Sequence, residues 1–70
     1  MKPIKRSFTI AGHRTSISLE QPFWTALKDV AAEQRQPLAQ IIQRIDQERG
    51  DANLSSAVRV FLLAHYRERR

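Results

Sequence analysis

No cysteine occurs in the 70 residues, which removes disulfides and thiolate metal sites from the ways a short chain can be held together. The two histidines, His13 and His65, lie far apart and lack ligand-like spacing. No metal or other cofactor is therefore expected. No apolar run approaches the ~20 residues of a membrane span, and no basic-then-apolar leader opens the chain. A soluble cytoplasmic protein with no membrane partner is expected. The chain also lacks a Gly-rich phosphate loop, a nucleophile–His–carboxylate grouping and clustered carboxylates. That leaves no catalytic residue to name and argues against an enzyme. No internal repeat or low-complexity segment is evident. Acid is absent from residues 1–19, which hold Lys2, Lys5, Arg6 and Arg14.

The missing acid tilts the whole balance. Net charge is +5 and the pI is near 10.8. The middle of the chain, from Glu20 to Asn53, is slightly acidic, and the end turns basic again through Arg59, Arg67, Arg69 and Arg70. A positive field at both ends points to an acidic partner such as nucleic acid. Size sets a second constraint. A chain this short buries only roughly 60% of its unfolded surface. Without disulfides or metal, self-association is the remaining way to enlarge the core, and a homodimer or higher oligomer is expected.

Thr15, Ile17 and Leu19 fall on one side of an extended strand, and Arg14, Ser16 and Ser18 fall on the other. Pro22 ends that strand and suits the first turn of a helix. Upstream, Met1–Arg6 reads as a basic arm, and Ser7-Phe8-Thr9-Ile10 alternates like a short strand. Phe8 and Ile10 are at even positions while Ile17 and Leu19 are at odd ones, so the phase must reset between them. A hairpin with Gly12-His13 as its loop would pair Phe8 with Ile17 and Ile10 with Thr15. A glycine bulge or an irregular arm would reset the phase as well.

Three helices follow. Helix A is expected over 21–36, with Phe23, Leu27, Val30 and Ala31 on one stripe and Trp24 widening it. Pro37 separates it from helix B, over 38–49, where Leu38, Ile41, Ile42 and Ile45 recur at helical spacing. Gly50 suits the C-terminal stop. Asn53 or Ser55 can cap helix C, over 54–68. Leu54, Ala57, Val58, Phe61, Leu62 and His65 form its stripe, and Val60, Leu63 and Ala64 carry apolar character around most of the cylinder. The fold class is mainly α with a short N-terminal strand or hairpin, in a single domain spanning 1–70, with residues 7–20 as the strand region. A helix apolar on so many sides requires more burial than one small chain offers, again favouring a dimer. Its expected core is Ile17, Leu19, Trp24, Leu27, Ile41, Ile42, Ile45, Val58, Phe61 and Leu62. Arg59 opposes the helix dipole near the start of helix C, which a carboxylate of a partner chain would explain.

A polar-outward strand, then Pro, then two helices resembles the Arc-like ribbon-helix-helix family of bacterial DNA-binding proteins. Lys5-Arg6-Ser7, the run from Gly12 to Glu20, Phe23-Trp24, Ile45-Asp46 and the run from Asn53 to Arg59 resemble a subgroup of short alphaproteobacterial members. The resemblance implies that two chains pair their strands into an antiparallel ribbon, which enters the DNA major groove to regulate transcription. It places base contacts on Arg14, Ser16 and Ser18. Backbone N–H groups near Leu38 and Ala39 would hold a phosphate at the second helix, helped by Lys2, Lys5, Arg6 and His13. The chain departs from the family pattern at Gln36-Pro37-Leu38, which offers no hydroxyl to cap that helix. The alternative is an oligomer whose basic ribbon binds a protein or small anion. The two readings divide on whether Arg14 and Ser16 are open to solvent or covered by another element.

Overall fold

The chain, seen in a computed structural model that describes residues 1–69, is a two-stranded hairpin laid on three helices. Strand β1 runs Ile4–Ile10 and β2 runs His13–Leu19. They pair antiparallel with Ile10 opposite His13, Phe8 opposite Thr15 and Ser7 opposite Ser16. The loop is therefore Ala11-Gly12. Both residues have positive φ, 51° and 82°, the pattern of the two-residue turn whose twist suits a hairpin. The pairing expected with Gly12-His13 as the loop is corrected by two residues. A slip of two leaves every side chain on the same face, so burial did not choose between the registers.

Ile4, Lys5 and Arg6, expected in a basic arm, are strand residues. The cause lies in Trp24. Its ring is fully buried, and a buried indole N–H needs an acceptor. Nε1 donates to the Ile4 carbonyl at 2.9 Å. Phe8 packs on the same ring, 5.9 Å between centroids, and the Arg6 guanidinium lies 5.1 Å from its centre. Three contacts on one indole fix the start of β1.

Helix α1 covers Gln21–Gln34, α2 covers Leu38–Glu48 and α3 covers Leu54–Glu68. Pro22 occupies the first turn of α1. Arg35 ends it in the left-handed region, φ 54°, and the N–H groups of Arg35 and Gln36 return to the Ala32 and Ala31 carbonyls. That closing turn holds the last carbonyls of α1 just before Pro37. Asn53 caps α3 through its side-chain oxygen, which accepts from the Ser55 and Ser56 N–H groups at 2.9 and 3.3 Å.

α2 lies against β1, α3 against β2, and α1 against both other helices. Of the ten side chains expected at a dimer core, nine are buried within this single chain and Phe61 is partly buried. They belong first to one continuous in-chain core. Helix α3 retains a bare side, however: Val60 is 66% exposed, Leu63 59% and Tyr66 40%.

The Ala11 backbone supplies a test of the turn. A left-handed alanine costs roughly 1–2 kcal/mol, which asparagine largely escapes. Ala11→Asn is expected to stabilise the protein by about 0.5–1 kcal/mol, read as a rise of several degrees in melting temperature. An unchanged or lower melting temperature would contradict the turn.

Candidate nucleic-acid interface

In a hairpin with a two-residue loop, the pair beside the loop exchanges backbone hydrogen bonds, and every second pair does the same. Ile10–His13 is that pair here. The backbone groups of Arg14, Ser16 and Ser18 therefore point to the outer edge of β2, away from β1. Helix α3 takes hold of that edge. The Ser18 N–H donates to Ser55 Oγ at 3.1 Å, and the Ser18 carbonyl accepts from Arg59 Nη2 at 3.2 Å.

Arg59 also reaches the Glu20 carboxylate, with Nη2 at 2.9 Å and Nε at 3.2 Å from the same oxygen. Its guanidinium sits 5.6 Å from the centre of the Phe23 ring. The carboxylate expected from a partner chain is thus supplied within the chain. Glu20 is the residue just before α1, so one arginine joins α3, the end of β2 and the start of α1. A second cluster ties the far ends of α1 and α3. Glu33 accepts from Arg69 Nη1 at 2.5 Å and meets His65 Nε2 at 3.3 Å.

With the hairpin fixed this way, its two faces differ sharply. Phe8, Ile10, Thr15, Ile17 and Leu19 turn toward the helices. Lys5, Ser7, Thr9, Arg14, Ser16 and Ser18 occupy the other face, by the alternation of a strand. Arg14 and Ser16 are exposed, and Ser18 is partly buried where α3 approaches. Ser7 and Ser16 touch across the strands, Oγ to Oγ 3.3 Å. Lys2 is exposed ahead of β1, and His13 is exposed beside the loop. Arg6 is on the helix-facing side over Trp24, turned away from the outward face. Leu38 and Ala39 form the first turn of α2. Pro37 is the N-cap and makes no side-chain cap, and its carbonyl accepts from Gln40 and Ile41.

The sequence reading did not single out Ser7 or Thr9, although their polar alternation with Phe8 and Ile10 was visible. Ser55 was read only as a possible cap, and Glu20 was not connected to Arg59. Nothing local in sequence joins positions 39 residues apart. Among the described residues no group of three or more His, Asp or Glu side chains is placed to hold a metal, and no helix is long and apolar enough to cross a membrane.

Residues 3–66 match the ribbon-helix-helix domain family. The chain belongs to that family. The match runs from just ahead of β1 into the last turn of α3, so the hairpin, α1, α2 and most of α3 of this ribbon-helix-helix protein fall within it. The family is one of DNA-binding regulators, not of enzymes. No curated protein and no solved structure matches the chain.

The ion pairs carry a pH dependence. The Glu20 carboxyl is held below its ordinary value by its own backbone N–H and then by the Arg59 guanidinium. Glu33 is lowered by its hydrogen bond from Arg69, with His65 contributing less. A carboxyl with a depressed folded-state pKa adds stability that is present above its unfolded value of 4.5 and is lost as pH falls through the folded value. Glu20→Gln is expected to narrow the gap between melting temperatures at about pH 7 and about pH 3. An identical gap in wild type and variant would contradict the Glu20–Arg59 linkage.

Proposed function

We propose that this protein is a homodimeric DNA-binding transcriptional regulator that inserts its antiparallel β-ribbon into the DNA major groove. The carrying observation is the outward face of the hairpin: cations and hydroxyls on a two-stranded ribbon, with Arg14 and Ser16 open to solvent. A two-stranded ribbon is one of the elements that the major groove admits. β1 folds back edge to edge with β2 and leaves that face uncovered, which supports DNA over a ribbon buried against another protein.

In this reading Arg14 donates two hydrogen bonds to guanine O6 and N7, and the Ser16 and Ser18 hydroxyls meet bases of either type. Lys2, Lys5 and His13 approach phosphates. The N–H groups of Leu38 and Ala39, in the first turn of α2 and without a side-chain cap, hold another at the helix N-terminus. The exposed Val60, Leu63 and Tyr66 on α3 support association of two chains through that helix, since a core this small gains from further burial. The wording of the chain supports placing it in the short alphaproteobacterial subgroup, acting in the cytoplasm where the DNA is.

Binding to genomic DNA fragments across a salt series tests the proposal. Tight binding to a few fragments is expected, weakening with a log–log slope of about −0.9 per phosphate contacted. Arg14→Ala is expected to lose about 1–3 kcal/mol on those fragments. Weak binding that is uniform over all fragments and indifferent to Arg14 would overturn it.

A further inference from the structure

Helix α3 has two lines of side chains with different fates. Leu54, Val58 and Leu62 are buried in the core of the chain. On the outer side Ser56, Val60, Leu63 and Arg67 recur at intervals of four, three and four residues, the spacing of a seam between two packed helices. All four are exposed, Val60 by 66% and Leu63 by 59%. The in-chain core makes no use of this second line.

Grooves flank it. Between α2 and α3 a groove of about 360 Å³ runs along Ile45, Ala57, Val60 and Phe61, bordered by Glu48, Arg49 and Ser56. A smaller groove of about 240 Å³ lies between α1 and α3 beside Phe23, Leu63 and Tyr66. A ridge with a groove on either side is the relief through which helices interlock. Arg49 is already held by the Asp46 carboxylate and the Ala52 carbonyl. Glu48 and Arg67 are exposed and make no ion pair among the described residues.

We propose that the outer side of α3 is a contact between copies of this chain, in which two α3 helices pack antiparallel and Arg67 of each meets Glu48 of the other. It rests on the self-association proposed above and names the residues that make it. The seam reads polar, apolar, apolar, polar from either end. A two-fold axis across α3 midway between Val60 and Leu63 therefore sets each Val60 against the partner's Leu63, and each Ser56 against the partner's Arg67. Because Ser56 and Glu48 border the same groove, that arginine arrives beside an unpaired carboxylate. The surface thus holds both halves of its own complement, acid at one end and cation at the other, which favours a second copy over a foreign partner of one charge. Neither strand gives a backbone group to this contact, so it adds to any pairing of ribbons between chains.

Sedimentation equilibrium of the full-length protein over a range of concentrations tests the contact. Wild type is expected to associate beyond the 8.1 kDa of one chain, and Leu63→Glu to halve the assembly mass. Glu48→Arg and Arg67→Glu are each expected to weaken association roughly 10- to 100-fold, because each sets like charges together twice in the symmetric pair. An equimolar mixture of these two variants is expected to recover the wild-type mass, since every mixed pair regains two opposite-charge contacts. All three positions are exposed, so circular dichroism is expected to find the variants folded. If Leu63→Glu and both charge variants keep the wild-type mass, the α3 contact is overturned, while DNA binding in the salt series, and the reading built on it, stands. If Leu63→Glu halves the mass but the mixture recovers nothing, the antiparallel pairing is overturned. If wild type sediments as a single chain, the contact and the homodimer fall together.

Discussion

β2 is held along both edges, and most of what this chain presents to its surroundings depends on that. On one edge β1 pairs with it over seven residues. On the other, Ser55 and Arg59 of α3 satisfy both backbone groups of Ser18. A strand with one open edge is a template for whatever strand comes next. Gripped on both sides near its end, β2 becomes part of a fixed platform. Its polar face is set in orientation before any ligand arrives, which spares the ordering cost that a mobile arm would meet on binding.

The same contacts let a small chain fold. Arg59 brings together α3, the end of β2 and the start of α1 through Ser18 and Glu20. Trp24 does the equivalent work at the other strand, joining α1 to β1 through the Ile4 carbonyl. Isolated surface ion pairs contribute little. The Arg59 contact differs because its guanidinium also serves a backbone carbonyl and covers the Phe23 ring. Between these two anchors lies an apolar core that is complete within one chain, apart from the exposed ridge of Val60, Leu63 and Tyr66 on α3.

Much of this architecture was legible in the residues. The Thr15-Ile17-Leu19 alternation, the helical spacing of Leu38, Ile41, Ile42 and Ile45, and the breaks at Pro22, Pro37 and Gly50 marked the elements and their buried sides. The register of the hairpin was not legible. Alternation has a period of two, so a slip of two residues preserves it. The turn that decided the register placed alanine, not glycine, at its first left-handed position. The extent of β1 was hidden because its start depends on Trp24, 20 residues away. Arg59 was recognised as misplaced against its helix dipole, but its carboxylate was sought on a second chain. Loop geometry, which no local pattern encodes, brought Glu20 of the same chain beside it.

The central claim is that the ribbon is formed within one chain. Ser7 and Ser16 are a pair without direct backbone hydrogen bonds, the kind in which the α-carbons approach to about 4.5 Å and their attached hydrogens lie close. Isotope-filtered nuclear Overhauser spectroscopy on an equimolar mixture of labelled and unlabelled protein separates contacts within a chain from contacts between chains. The account predicts a strong Ser7–Ser16 α-hydrogen contact within the labelled chain and none across chains. A contact joining β2 of a labelled chain to β2 of an unlabelled one, with no Ser7–Ser16 contact inside either, would contradict it.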